Sequence, residues 1–215
     1  RLIGGLIMMH SDDKGLVLPP KIAPVQAVII TIIKVNDGKV LSAAKSVAGQ
    51  LTGLSVEIDS RDNLSLGEKH YEWEKKGVPV RIEIGPKELE KNAVVLVRRD
   101  TGAKESCSVD QIQKRVEEIL QDMQSGLFVA ALKRREESNK IADSWQEFEE
   151  GLKQGGYVFA HWCGDESCES AIKQKTKAVS RFMPFDAKEE QGDHHCINCG
   201  KKTAYKKRWA FALAY

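Results

Sequence analysis

Apolar and polar positions alternate most regularly just before the middle of the chain. Val78, Val80, Ile82 and Ile84 alternate with Pro79, Arg81 and Glu83, the period of two of a strand with one face buried. Gly85-Pro86 breaks the run, a short helix follows, and Val94 to Val97 forms a second β-branched run closed by Arg98-Arg99-Asp100. On this reading charged side chains stand at the ends of apolar strands, where a rigid sheet presents them to a partner.

The same patterning extends in both directions. Leu2, Ile3, Leu6, Ile7 and Met9 fall near helical spacing and predict the end of a buried helix, followed by a polar turn at His10–Gly15 and an extended segment through Pro19-Pro20. Pro24 to Ile33 is nearly all apolar, as in a strand covered on both faces. Asn36-Asp-Gly38 opens a helix with Val40, Leu41, Ala44, Val47, Ala48 and Leu51 on one face, stopped by Thr52-Gly53. A strand at Leu54–Ile58 and a helix over Gly67–Lys76, with Tyr71 and Trp73 as its large apolar groups, lead back to the alternating stretch. The order strand-helix-strand-helix-strand-helix-strand reads as an α/β domain with a parallel or mixed sheet. Beyond it, Ser108-x-x-Gln111 has the form of a capping box before a long helix that carries Val109, Ile112, Val116, Ile119, Leu120 and Met123 and runs past Gly126 towards Asn139, with Lys133–Glu137 as a solvated face. Ser144-x-x-Glu147 opens a shorter helix with Trp145, Phe148 and Leu152, and Tyr157–His161 reads as a strand. A small α+β domain thus follows the first.

Composition narrows the classes. In 215 residues, 33 Lys and Arg face 31 Asp and Glu, so any RNA-binding surface is local rather than global. No apolar run approaches the length of a membrane span, and no signal-peptide pattern appears, which predicts an intracellular protein without membrane contact. The chain opens at Arg1 inside an apolar run, as expected of the C-terminal piece of a longer protein.

Cysteines add a second constellation. Cys163 and Cys168 bracket Gly-Asp-Glu-Ser, and Cys196 and Cys199 bracket Ile-Asn with Gly200 behind them. Thiolates at such spacings converge on a tetrahedral zinc, closed to solvent and structural in role. His161, His194 and His195 are close enough in sequence to replace a thiolate. Two disulfides or a redox Cys-x-x-Cys are the competing readings; a reducing compartment disfavours the first, and Cys196 does not open a helix after a strand. Cys107 stands alone as a small side chain.

Taken together, these segments resemble the C-terminal part of prolyl-tRNA synthetases of the archaeal and eukaryotic-like type. Arg1-Leu-Ile-Gly with His10-Ser-Asp-Asp-Lys-Gly-Leu-Val-Leu-Pro-Pro-Lys-Ile-Ala-Pro24 looks like the third class II motif and its exit. Gly77-Val-Pro-Val-Arg-Ile-Glu-Ile-Gly-Pro86 with Val97-Arg-Arg-Asp100 looks like the anticodon-binding domain, and the four cysteines with a terminal Tyr215 look like the zinc-containing C-terminal domain. Two departures stand out: Ser11 where the family has Gly, and Ser65-Leu-Gly-Glu68 where it has Ser-Pro-Gly and an aromatic. The resemblance divides the chain into a catalytic-domain remnant over 1–23, an anticodon-binding domain over 24–125 and a zinc-binding domain over 126–215.

The resemblance implies a cytoplasmic, dimeric parent that joins proline to tRNA(Pro) through prolyl-adenylate, using ATP and magnesium. It implies Arg1 on the ATP phosphates, His10 beside the proline and adenylate pocket, and a terminal carboxylate that approaches the catalytic domain; the chain end itself, with Trp209, Phe211 and Tyr215, is more apolar than a loose tail and is expected to dock on the body. For the anticodon, with its two adjacent guanines, Arg81, Glu83, Lys87, Arg98 and Arg99 have the right chemistry: carboxylates accept from guanine amino groups and cations donate to guanine acceptors. The first two class II motifs are absent from the 215 residues, so the expectation is anticodon contact and zinc without aminoacylation. A freestanding, non-catalytic tRNA-binding module is the alternative.

Overall fold

The computed structural model describes residues 1–32 and 38–214 and separates them into two units, Arg1–Ala130 and Ala131–Tyr215, each with its own sheet. Ile33, Asn36 and Asp37 of the expected strand and helix start, and Tyr215 of the expected docked chain end, lie outside the described residues.

The first unit begins with α1 (Leu2–Met9), helical as expected but not buried; Leu2 is 91% exposed. Its side chains are apolar all round, so one neighbouring surface cannot cover it. A hairpin of β1 (Ser11–Asp12) and β2 (Gly15–Leu16) follows, closed by Asp12 Oδ1, which accepts from the backbone N–H of Lys14 and Gly15.

Then comes a strand-helix alternation: β3 (Ala27–Thr31), α2 (Gly38–Gln50), β4 (Val56–Asp59), α3 (Leu66–Lys76), β5 (Val80–Ile84), α4 (Pro86–Glu90), β6 (Ala93–Arg98) and β7 (Lys104–Ser108). The sheet order is β4-β3-β5-β6-β7, with β4, β3 and β5 parallel and β6 and β7 antiparallel to their neighbours. The expected alternation is present; β7 is an addition. Its Lys-Glu-Ser-Cys-Ser sequence buries only Cys107, which is how an edge strand with one thin apolar contact looks in sequence. One sheet face carries Ala27, Ile29, Val80, Ile82 and Leu96 against Val40, Ala44 and Val47 of α2 and against Ile112, Val116, Ile119 and Met123 of α5 (Ile112–Glu137). The helix α5 runs unbroken through Gly126, and Ser108 does not form the expected capping box, because a single 3-10 turn at Val109–Gln111 comes first.

The other sheet face holds Val28, Ile30, Val78 and Trp73. Here the expectation for β5 needs correcting. Val28 stands opposite Arg81 and Ile30 opposite Glu83, so both charged residues lie in mid-strand beneath α3, only 7% and 8% exposed. They do not stand at strand ends, because β5 is a central strand whose second face is also roofed. The helix α3 starts in a full capping box: the N–H of Glu68 donates to Ser65 Oγ, and Glu68 Oε2 accepts from the N–H of Ser65. Of its two large apolar groups it turns Trp73 inward at 6% exposure and leaves Tyr71 63% exposed. Gly77 ends it at φ +76°, where a Cβ would fall 2.6 Å from Leu16 Cβ; only glycine lets α3 pass so close to β2.

The second unit comprises β8 (Asn139–Ile141), α6 (Trp145–Gln154), β9 (Tyr157–Ala160), α7 (Glu166–Thr176), β10 (Ala178–Phe182) and β11 (Trp209–Leu213), with sheet order β10-β11-β9-β8. The capping box of Ser144 and Glu147 starts α6 as expected. Phe148, Leu152, Val158, Ile172 and Phe211 form the core. The expected docking of the chain end takes the form of β11, inserted between β10 and β9 with Phe211 fully buried. No helix among the described residues is long and apolar enough to cross a membrane.

Candidate functional site

A polar network lies where α3 crosses the first sheet. Arg81 Nε donates to Glu83 Oε1 at 2.9 Å, and Arg81 Nη1 donates to Glu74 Oε1 at 3.3 Å. His70 Nε2 stands 3.1 Å from the same Glu83 Oε1 but forms no aligned hydrogen bond. Burial, reinforced by the Arg81 guanidinium and opposed by Glu83, pushes the His70 pKa below its usual value, so its imidazole is neutral near pH 7.

Beside this network, at the carboxyl end of β4, Asp59 is 3% exposed. It accepts from Trp73 Nε1 at 2.8 Å and from Arg61 Nε and Nη2 at 2.9 and 2.7 Å, with Lys69 Nζ 3.9 Å away. Burial raises its pKa, but the donors from Arg61 and Trp73 outweigh burial and hold it at about 2. Residues 69, 70, 73 and 74 of α3 therefore meet the sheet through ionic and polar contacts as well as through the Trp73 ring. The sequence signal for His70 and Glu74 is their spacing from Trp73, which puts all three on one helix face.

Arg98 forms a fork with both oxygens of Asp100 at 3.0 and 2.8 Å and donates to Asp122 at 2.6 Å. Arg99 grips both oxygens of Asp12 at 2.7 and 2.6 Å and donates through Nε to the Glu74 carbonyl at 3.0 Å. The Arg99 hydrogen bonds dominate in holding Asp12 at about 2. Arg81 and Arg99 thus both reach Glu74, one at its carboxylate and one at its backbone. Lys87 is exposed on α4. Arg1 is exposed before α1, and His10 is half-buried at its end, its N–H on the Leu6 carbonyl and its carbonyl accepting from Val17.

In the second unit Cys163, Cys168, Cys196 and Cys199 bring their Sγ atoms within 4.8 Å of one another. Cys163 follows β9, Cys168 sits on α7, and the other two lie in one tight turn. In that turn Gly200 N–H donates to the Cys196 carbonyl, Cys196 N–H to the Lys201 carbonyl, and Gly200 takes φ +69°. All four are free thiols, and the cluster can hold a metal. Burial raises the Cys196 thiol, yet the N–H groups of Cys199, Asn198 and Cys163 overcome it and hold the pKa at about 7. Cys168 is pushed up to about 12, chiefly by burial, with the Asn198 side chain donating to it at 3.2 Å.

The histidines belong elsewhere. His161 and His194 gather with Glu190 in a second group of metal-capable residues. Their rings stack 4.0 Å apart at 12°, and Arg208 donates to both Glu190 oxygens at 2.7 and 3.0 Å. Parallel rings do not aim at a common ion, and a guanidinium already neutralises the carboxylate. The group instead backs the cysteine turn: the His161 carbonyl accepts from Ile197 N–H at 2.8 Å. His195 is exposed and bridges Lys202 by backbone pairing.

Comparison with known proteins agrees with this anatomy. Residues 26–119 match the family described as anticodon binding domain, and residues 145–215 match the family described as prolyl-tRNA synthetase, C-terminal. A proline--tRNA ligase of Oceanobacillus iheyensis is 46% identical over 213 residues, covering 99% of this chain and 44% of that protein. Proline--tRNA ligase 2 of Clostridioides difficile is 42% identical over 206 residues, covering 94% and 42%. The crystal structure of prolyl-tRNA synthetase from Cryptosporidium parvum, complexed with halofuginone and AMPPNP, superimposes with a TM-score of 0.91 at 37% identity, over 99% of this chain and 45% of that one. The chain spans less than half the length of these relatives. Over nearly all of its own length it is similar to the C-terminal part of prolyl-tRNA synthetases, and it carries segments that match an anticodon binding domain and a prolyl-tRNA synthetase C-terminal domain.

Proposed function

We propose that this chain reads the anticodon of tRNA(Pro) and holds a structural zinc on behalf of an enzyme that attaches proline to that tRNA. The observation that carries the first half is the network of Arg81, Glu83, Glu74 and His70 on the first sheet, inside the segment that matches the anticodon binding domain. Its charges are fixed before RNA arrives, so a base meets prearranged donors and acceptors. Glu83 accepts from a guanine edge and exposed Lys87 donates to guanine or to phosphate. Arg98 and Arg99 are bound to carboxylates and serve mainly to fix the neighbouring hairpins.

The donor set supports zinc. A tetrahedral site with Zn–S bonds of about 2.3 Å has S···S edges of about 3.8 Å. Two such edges are 3.5 Å (Cys168–Cys196) and 3.8 Å (Cys163–Cys199). Four thiolates leave no open position for water, so the ion braces the fold rather than acting on a substrate.

In the parent protein the reaction uses ATP and magnesium and passes through prolyl-adenylate, with Arg1 on the ATP phosphates and His10 near the proline pocket. That enzyme is a cytoplasmic dimer in this reading. The test of the anticodon reading is binding to an RNA hairpin carrying the two guanines of a proline anticodon, and to the same hairpin with adenines there. The guanine hairpin binds at least about tenfold tighter, as one well-formed base contact requires. Equal affinities, falling together with salt, mean backbone contact alone and overturn the proposal.

A further inference from the structure

We infer that His70 is a positioning residue for guanine readout by Glu83. The inference rests on the anticodon reading above and adds to it a residue that the sequence pattern did not single out.

Glu83 Oε1 takes the hydrogen bond from Arg81 Nε and has His70 Nε2 at 3.1 Å. Among the described residues, Glu83 Oε2 receives no hydrogen bond, and the Glu83 side chain keeps 11% of its surface in contact with solvent. One carboxylate oxygen is therefore anchored inside the protein, and the other keeps an unused acceptor position on a side chain that is 11% exposed. Arg81 alone cannot fix the plane of the carboxylate, because it makes one contact there and spends Nη1 on Glu74. Fixing the plane takes a second contact from a different element, and His70 Nε2 on α3, 3.1 Å from Oε1, is placed to make it once the carboxylate turns.

His70 Nε2 is buried and lacks an aligned hydrogen bond, a standing cost that native structures keep only where something repays it. A guanine donating to Oε2 turns the Glu83 carboxylate, and a small rotation brings Oε1 onto the Nε2–H axis. Polar contacts that are misaligned without ligand and tighten with it are common in prearranged sites. Because His70 is neutral near pH 7, it orients Glu83 without cancelling its charge. The other charged groups that face this imidazole are Arg81 and Glu83 on β5, Glu74 on α3 and Lys104 at the start of β7.

The test uses the whole chain and two hairpins that differ by guanine or inosine at the anticodon position; inosine lacks the 2-amino donor. Wild type prefers guanine, His70→Phe reduces that preference about tenfold without lowering Tm, and His70→Gln restores it, since the amide Nε2 is again a donor. In wild type the His70 Nε2–H becomes slow to exchange when the guanine hairpin is added. An unchanged preference in His70→Phe, or an Nε2–H whose exchange does not respond to RNA, overturns the inference while leaving the anticodon reading intact. Equal binding of guanine and inosine by the wild type overturns the inference alone, and equal binding of guanine and adenine removes the anticodon reading with it.

Discussion

Cys168 Sγ lies 3.5 Å from Cys196 Sγ although 28 residues separate them in the chain. The contact joins α7 to the turn at Cys196–Gly200, and the same cluster reaches Cys163 at the end of β9. A bound ion there closes three segments at once, and its binding energy is folding energy for the second unit. Replacing Cys196 by Ser is expected to abolish metal retention and to lose the near-UV circular dichroism of the second unit. Cys107→Ser, in the first unit, retains the metal. Metal analysis of both variants after gel filtration decides the matter.

Asp59 holds Trp73, Arg61 and Lys69 from one nearly inaccessible position. Asp59→Ala leaves an indole N–H and a buried ammonium without their partner, which is expected to cost about 3–5 kcal/mol in urea unfolding of the first unit. Asp59→Asn retains an acceptor for Trp73 and loses less. Equal stability of wild type and Asp59→Ala contradicts the role given to this carboxylate.

Acid is expected to loosen the same region. The Asp59 pKa is lowered from 3.8 to about 2 in the folded chain, so its ionised form contributes stability that is present above about pH 4. That contribution is lost as pH falls from about 4 towards 2, and the unfolding midpoint of the first unit drops across this window. Asp59→Asn flattens the drop. Asp12, also held at about 2, adds a smaller effect in the same direction because its side chain is largely solvated.

Gly156→Ala is expected to destabilise the second unit by about 2 kcal/mol or more. The residue takes φ +85°, and an added Cβ falls 2.2 Å from the Ser138 carbonyl oxygen. Strain and a backbone clash act together there. Gly126→Ala, in α5 with open space around it, is the control and leaves stability unchanged or slightly raised. Thermal unfolding of the two variants separates these outcomes.

Much of the fold was legible from pattern alone where one period dominated. Continuous apolarity at Ala27–Thr31 and the 3.6-residue period of Val40, Ala44 and Val47 identify β3 and α2 directly, and the Ser144 box marks the start of α6. Elements with few buried positions were not legible: β7 buries one residue, and α7 buries only Cys168 and Ile172, within a segment that reads as a cysteine loop. At the site, the cysteines are visible because their spacing is local. Arg81 and Glu83 were recognised as polar groups on a strand, but their burial was not, since period two says which residues share a face and not what covers it. The cover, α3 with His70, Trp73 and Glu74, is a tertiary fact. So are the pairings of Arg99 with Asp12 across 87 residues and of Arg98 with Asp122 across 24.

The most direct test is the metal content of the purified chain, with thiol titration on the same sample. The account predicts about one zinc per chain and four cysteines protected from a thiol reagent until a chelator is added, after which all four react. A chain without metal, correctly folded and with four freely reactive thiols, would contradict it.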